Sequence, residues 1–575
     1  MSVGPVLRTV SRITPGQLAA RTRFLFLRRL YAARPQLPLD RADRDARGAT
    51  PRSVLPRLPL SVLVPDGKDA AHARAMRYRR GCFSYLADIH AFAVDEGSQR
   101  VLVDWTPAGA SRLWRFQLQY LGAALDLVVD GAPDAAAQLI QSWIDRYGTG
   151  WDLTAWHTYP VALRLANLCH AAGLAGSFDA LGPNAAHLVA VSAAYIHRHL
   201  ERDVRGNHLL EDVAALLIAA RYLEGHPVAA WERTAREIYA RELPEQIQPD
   251  GSHFELAPMY HAIVLWRLLQ IEALLGPRDE LVSSTIGPRI VAMRRYLAGI
   301  LCPDRDVPLL GDSVRACDFA PPAFTLLGDE PVPTGEGVRS FRDAGLHVFR
   351  SERLWAIFDA GAVCPEYLPA HGHADTLTVE VWCDGACVVS GPGIYDFTGP
   401  ERDWGRSSRA HSTLTVDDRN TSEVYDSFRI GGRARIEAVE ARSDRVTASA
   451  VPWSQDAHLR RTVAFGDTAR ATLRIEDRAA VRRGTTCRSR LHLHPAVSIV
   501  TCADGERQAI LGTPRGRVKI TSTHPMRREV GRASRQLGRI EPTTLLVQDL
   551  RDKPGDSEVE GGWTIVPLEA KGERQ

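Results

Sequence analysis

The chain has 575 residues, a formal net charge of +3 from 71 basic and 68 acidic side chains, and 45% hydrophobic and 24% charged residues. That length exceeds one hydrophobic core and calls for two or three domains, while the composition is ordinary for a globular protein. The near balance of charge gives no case for a nucleic-acid protein, although a local basic groove for an acidic ligand stays open.

Met1 to Leu39 contains no acidic residue and many arginines, as in "RTRFLFLRRLYAAR". It lacks a continuous apolar region followed by a small-residue cleavage site, so no secretory signal is evident and a cytoplasmic location is slightly favoured over a periplasmic one. This stretch reads either as an amphipathic helix docked on the domain or as a membrane-surface contact. Pro35 to Asp69, rich in Pro, Arg and Asp, reads as an extended connector. Residues 1–70 are therefore an N-terminal basic helix and connector. No apolar run reaches the ~20 residues of a membrane span.

From about Ala71 the pattern is helical. "SRLWRFQLQYLGAALDLVV" repeats apolar residues near the helical period, and "YPVALRLANLCHAAGLAG" follows with Pro160 in a good first-turn position. Five more such segments run to "RIVAMRRYLAGILC", several ending at Gly, Pro or a short polar turn. Many are apolar on more than one face and should be packed on both sides. Antiparallel hairpins of this kind build a solenoid or an α/α toroid, and the absence of a strict repeat disfavours common solenoids. Near Phe341 the period becomes two, with turn residues between short strands to the C-terminus, which predicts an antiparallel sandwich or stacked sheets. The predicted fold is α+β multidomain: an α/α toroid over 71–335, as an incomplete barrel of helical hairpins, then an antiparallel β-sandwich over 336–575. The join lies in "GDEPVPTGEGVRS".

Nine cysteines are scattered along the chain. The closest pair, Cys383 and Cys387, flanks a predicted Asp384-Gly385 hairpin turn with no second pair nearby for a zinc ribbon. They read as reduced, buried small residues, which favours a reducing compartment.

Four clusters could carry chemistry. "RGNHLLED" offers Asn207 and His208, with Asn207 either a helix cap or an amide donor aimed into a cavity. "DGSHFELAPMYH" offers Glu255, Tyr260 and His261, with Tyr260 in the first turn of a helix opened by Pro258. "WHTYPVALRLAN" offers Trp156, Tyr159, Arg164 and Asn167, either a sugar platform with a carboxylate clamp or core packing. "PAHGHADTLTVEVW" offers His371 and His373 around one glycine, and His411 follows. Two histidines and a third ligand make a workable zinc set, and the pair His492 and His494 competes for that reading. No Walker loop, dinucleotide fingerprint, His-Glu-x-x-His or nucleophile elbow occurs in the sequence.

The order "GNHLLED", "DGSHFELAPMYH", "AHGHADTLTVEV", "AHSTLTVDDRNTSE" resembles the heparinase II/III family of polysaccharide lyases, with its related alginate and oligoalginate lyases. The resemblance runs from about Trp105 to beyond Ala434. It implies a toroid joined to a β-sandwich with the cleft between them, and β-elimination on an acidic, uronate-containing polysaccharide or oligosaccharide. It implies that Asn207 neutralises the substrate carboxylate and that His208 helps there. Tyr260 would protonate the leaving oxygen and could also take the C5 proton, with His371 as the matching base. Trp156, Tyr159, Arg164 and Glu255 are the expected substrate contacts.

Such chemistry needs hydrogen bonds that strengthen as the carboxylate becomes enolate-like, plus a positioned acid and base, and no cofactor. Some members of the family carry a zinc in the sandwich. His373 and His411 match its histidines, while the expected Asp falls at Gly391, which leaves the set incomplete. Two rival readings are a toroid glycoside hydrolase using Glu255 and Asp312, and a non-catalytic glycan-binding protein of polysaccharide assembly.

Overall fold

The computed structural model describes residues 3–315, 317, 319–467, 469–552 and 558–569. The end of the predicted sandwich, 570–575, lies outside the described residues. The chain opens with helices α1 (Val3–Val10), α2 (Pro15–Ala33) and α3 (Gln36–Ala46). The first two form a docked arm that touches both domains. Arg8 pairs with Glu423, and the Thr9 hydroxyl lies 2.6 Å from that of Tyr425. A capping box between Thr14 and Gln17 starts α2. Further along, the buried Tyr31 places its hydroxyl 2.8 Å from His199 of the toroid.

The extended connector expected over Pro35–Asp69 is corrected. Leu39, Ala42 and Ala46 recur at helical spacing, and α3 buries them against the toroid. Pro38 falls in the first turn, where a missing N–H costs nothing. A short helix α4 (Leu60–Leu63) leads into α5 (Lys68–Arg79). Two small hairpins between Cys82 and Val101 then interrupt the helical run.

The segment read as one helix near Trp114 is two, α6 (Arg112–Gln119) and α7 (Gly122–Val129), broken where Leu121 takes φ 51°. After them come α8 (Pro133–Tyr147), α9 (Thr158–Ala175), α10 (Ala185–Arg198), α11 (Gly206–Tyr222), α12 (His226–Gln246), α13 (Pro258–Leu275) and α14 (Gly287–Ile300). Helices α7, α9, α11 and α13 pack side by side as an inner row, and α8, α10, α12 and α14 pack outside them. Composition explains the layering. In α11 every residue but His208 and Arg221 is buried, so only an inner position satisfies it. Each buried leucine there adds roughly 2 kcal/mol over leaving it in water.

From Gly337 the chain is antiparallel sheet. A five-stranded sheet runs in spatial order Ala386–Val389, Val379–Cys383, Leu354–Asp359, Leu346–Arg350, Gly337–Phe341. Its first hairpin turns at Asp384 and Gly385, both with positive φ (50° and 78°), as a two-residue turn matched to strand twist requires. A four-stranded sheet and a nine-stranded sheet complete the sandwich. Alternation is clear in Ala457–Phe465, where Ala457, Leu459 and Val463 enter the core. Arg461 enters it too, but only because Asp477 meets its guanidinium at 2.7 Å with both fully buried.

Candidate active site

The site is assembled where the first turns of α11 and α13 meet the loop before Val379–Cys383. Asn207 is the second residue of α11 and not its cap. The helix start is capped from a distance by Glu255, whose Oε1 accepts the Asn207 backbone N–H at 2.7 Å. This approach needs Gly206: its φ is 56°, and a Cβ there would stand 2.1 Å from that carboxylate oxygen. Arg205 just before it is held at φ 62°, costly for a residue with a side chain, by ion pairs to Glu242 and Glu245.

The Asn207 side-chain amide reaches both Glu255 oxygens, at 3.1 and 2.9 Å. Two oxygens of one carboxylate lie too close together to take both diverging amide hydrogens, so one hydrogen stays free. Glu255 also meets His371 Nε2 at 3.0 Å, and Asp312 meets His371 Nδ1 at 2.9 Å. Asp312 in turn bonds His373 Nε2 at 2.8 Å and is clasped on both oxygens by the buried Arg402. The result is a continuous chain of alternating charge: Arg402, Asp312, His371, Glu255, Asn207.

Glu255 has both oxygens engaged within the protein, by Asn207 and His371. Burial alone would raise its pKa, but His371 outweighs that and holds it down at about 2. His371 Nδ1 is hydrogen-bonded to Asp312, and its Nε2 lies within ion-pair distance of Glu255. Burial lowers its pKa, and Glu255 and Asp312 more than offset this, holding it at about 9 as an imidazolium.

Tyr260 sits in the first turn of α13, its ring stacked on His371 at 3.8 Å between centroids and 26° between planes. Its hydroxyl makes no hydrogen bond among the described residues, and the residue is 8% exposed. Burial, then the carboxylates of Asp312 and Glu255, pushes the phenol well above its usual range. His208 bonds Glu201 through Nδ1 at 3.2 Å and stacks on the half-buried Tyr159 at 4.4 Å. Burial lowers its pKa and Glu201 more than restores it, and Nε2 has no hydrogen-bond partner among the described residues.

Trp156 and Arg164 are not brought to this place. Both are buried, at 1% and 0% exposure, and Arg164 lies 4.0 Å over the Trp143 ring and 5.3 Å over that of Trp156. Its Nη1 donates to the carbonyls of Gln119 and Ala155. These two form core packing, and the platform-and-clamp reading is corrected for them.

On the sandwich side His373 Nδ1 lies 3.4 Å from His411 Nε2, and Asp375 completes a buried trio whose ligand atoms all fall within 4.8 Å of one another. Two nitrogens on one tetrahedral zinc at about 2.05 Å stand about 3.4 Å apart, so the set fits the ion. Asp312 behind His373 fixes its tautomer as a supporting carboxylate does. Because His411 Nε2 also lies 3.0 Å from the Gly405 carbonyl, ligation requires its proton on Nδ1. At Gly391, where the resemblance places an Asp, a Cβ would stand 2.2 Å from the Leu309 carbonyl oxygen, and the carboxylate that lies beside the two histidines is that of Asp375. His492 bonds the Arg532 carbonyl and His494 meets Arg535, and neither joins the trio.

Sequence reasoning missed the hub role of Asp312, the clasp of Arg402, Glu201 behind His208, and Asp375. Arg406 was missed as well: buried, it ties down the His-Gly-His loop by donating to the Gly372 carbonyl. Only Asp375 carried a local signal, two residues beyond His373.

Comparison with known proteins now bears on this geometry. The heparinase II/III N-terminus family model matches residues 136–319, and the heparinase II/III-like C-terminal model matches 333–563. Heparin-sulfate lyases of Bacteroides stercoris and Pedobacter heparinus are 26% identical over 251 residues and 27% over 256. These alignments cover 39% and 40% of this chain but 37% and 38% of those proteins, so the chain matches less than two fifths of their length. A solved heparinase III superposes with a TM-score of 0.69 at 16% identity, covering 98% of this chain and 93% of that one, a likeness of fold.

Proposed function

This chain belongs to the heparinase II/III-like family, and on that premise we propose that it cleaves a uronate-containing acidic polysaccharide by β-elimination. One observation carries the reading: Glu201, Glu255 and Asp312 are each paired with a cation or an amide, while the Tyr260 hydroxyl has no hydrogen-bond partner among the described residues. A hydrolase needs a carboxylic acid with a raised pKa. Glu255, Asp312 and Glu201 are all shifted down, so the hydrolase reading loses its acids.

Elimination asks instead for donors to the uronate carboxylate and one group that moves a proton. The free Asn207 amide hydrogen and His208 Nε2 receive the carboxylate and strengthen as charge moves onto it. The Tyr260 oxygen, as phenolate, takes the C5 proton. The carbanion expels the glycosidic oxygen, and the phenol returns its proton there, so one residue serves both steps on one face. His371, as a cation against the ring, offsets part of the cost that burial and the carboxylates of Asp312 and Glu255 place on the phenolate, and is reassigned from base to charge stabiliser. We further propose that His373, Asp375 and His411 hold a structural zinc that ties the loop of His371 to the sandwich, with no part in the proton transfers.

The reaction is tested by ultraviolet absorbance of unsaturated uronate on a panel of heparan sulfate, alginate and glucuronan. A new absorbance is expected on at least one polymer. Reducing ends without absorbance would instead establish hydrolysis. For the zinc, adding the ion to metal-stripped protein should raise Tm by several degrees, and Asp375→Asn should remove the rise. An equal rise in that variant rules the trio out.

A further inference from the structure

The outer face of the nine-stranded sheet carries a groove of about 300 Å³, lined by Glu440, Arg442, Arg445, Thr447, Arg460, Thr462, Glu476 and Arg478. None of these residues belongs to the site above. The strand register explains how it is built. Glu440, Thr447, Thr462 and Glu476 stand opposite one another across four adjacent strands and form the floor, with the two threonine hydroxyls 2.9 Å apart. The neighbouring row places Arg460 opposite Arg478 on one side. Arg445 and Arg442, at the turn between Arg435–Ala441 and Arg445–Val451, rise on the other. The alternate residues Val446, Leu459, Val463 and Ile475 anchor the same strands in the core, so the polar face is held rigid.

Four guanidinium groups against two carboxylates leave the groove cationic. Arg478 has only a distant contact with Glu560, at 4.0 Å, and no ion pair engages Arg442, Arg445 or Arg460 among the described residues. Paired arginines on a sheet face would need no ligand, whereas these present open forks that suit carboxylate or sulfate groups. The floor narrows the class of anion. Its carboxylates repel a polyphosphate along that line, while carboxylates and hydroxyls alike accept hydrogen bonds from sugar hydroxyls. An acidic oligosaccharide offers both kinds of group, with anions for the two arginine banks and hydroxyls for the floor.

We propose that this groove is a second binding site for an acidic oligosaccharide, holding the polymer outside the catalytic cleft. The ligand class follows from the groove, while its identity with the polymer being cleaved rests on the lyase reading. The test is titration calorimetry with hexasaccharides of heparan sulfate and of alginate, on a Tyr260→Phe background to prevent turnover. One further site with at least tenfold weaker binding is expected when Arg445→Ser, Arg460→Ser and Arg478→Ser are combined. A control combining Arg233→Ser, Arg278→Ser and Arg295→Ser, all exposed on the toroid, should bind as before. Unchanged binding in the groove variant, equal weakening in the control, or equally tight binding of inorganic polyphosphate each overturns the proposal. In otherwise wild-type protein the groove substitutions should raise KM on polymer about tenfold and leave kcat on a tetrasaccharide unchanged. If no polymer is cleaved but the groove binding is lost as expected, the lyase reading fails and the groove stands.

Discussion

In two of the places where the molecule buries charge, it does so by opposite means. Behind the mouth, Arg164 has no carboxylate: carbonyls and two indole faces surround it, its Nε and Nη2 have no partner, and burial pulls its pKa down to about 9. At the mouth, cation and anion alternate from Arg402 through Asp312, His371 and Glu255 to the amide of Asn207 and end beside an open phenol. A buried charge that only packs can be dispersed over neutral groups. A buried charge that must steer a proton is held in a fixed state by a partner on either side, and this keeps donors aimed at one point. A third case lies at the seam with the sandwich. Glu380 accepts the N–H groups of Leu309 and Gly391 with Oε1, but Oε2 is buried without a partner. Burial raises its pKa to about 7, against the pull of Arg315, so this group neutralises instead.

Substitutions can break that contrast. The largest effect belongs to Tyr260→Phe, which removes the proton-moving oxygen while keeping the ring on His371. Turnover should fall by about 10²–10⁴ with an unchanged melting curve. Activity within tenfold of wild type would return the base role to His371.

Asp312→Asn is next. It strips the partner from Arg402 and both histidines and should cost about 3–5 kcal/mol in denaturant unfolding, together with most of the activity. A stable variant would mean that the chain of charge is not the support described.

Arg164→Leu should cost less, about 1–3 kcal/mol, because two carbonyls lose a donor that neutral surroundings had served. Its kcat per folded molecule should not change. A drop in kcat there would make the interior part of the mouth after all.

The effect confined to a pH range comes last. The folded pKa of Glu380, about 7, stands above its unfolded value of 4.5, so its contribution is complete below pH 4.5 and disappears as pH rises through 7. The stability difference between wild type and Glu380→Gln should shift against wild type from pH 5 to pH 8, by up to the order of 3 kcal/mol. Arg315, Asp304, Cys302 and Cys387 are the titratable neighbours there, and none is altered by the substitution. Parallel pH curves for the two proteins would show that Glu380 stays ionised.

Much of the molecule was legible from local pattern. The change of period near Phe341, the Asp384-Gly385 turn and the place of Tyr260 behind Pro258 all follow from short-range sterics and alternation. The arm was legible in part: its docked helices were anticipated, while α3 was hidden because its prolines obscured three apolar residues in helical register. At the site, the residues that would touch substrate stood in quotable motifs. The residues that set their charge did not, since Asp312 and Arg402 lie 90 positions apart and meet only through the fold.

The sequence by itself determined a helical half followed by a sandwich and most of the elements within them, and it offered Asn207, His208, Tyr260, His371, His373 and His411 as candidates. Periodicity and backbone chemistry are local and survive without coordinates. Only the tertiary structure decided protonation and partnership. It set His371 between two carboxylates and placed Glu255 against the start of α11. It also moved Arg164 from clamp to core and supplied Asp375 where Gly391 has no room for a side chain. Those outcomes depend on burial and on distances between segments far apart in the chain, and electrostatics in a buried site is set by such neighbours and not by residue type.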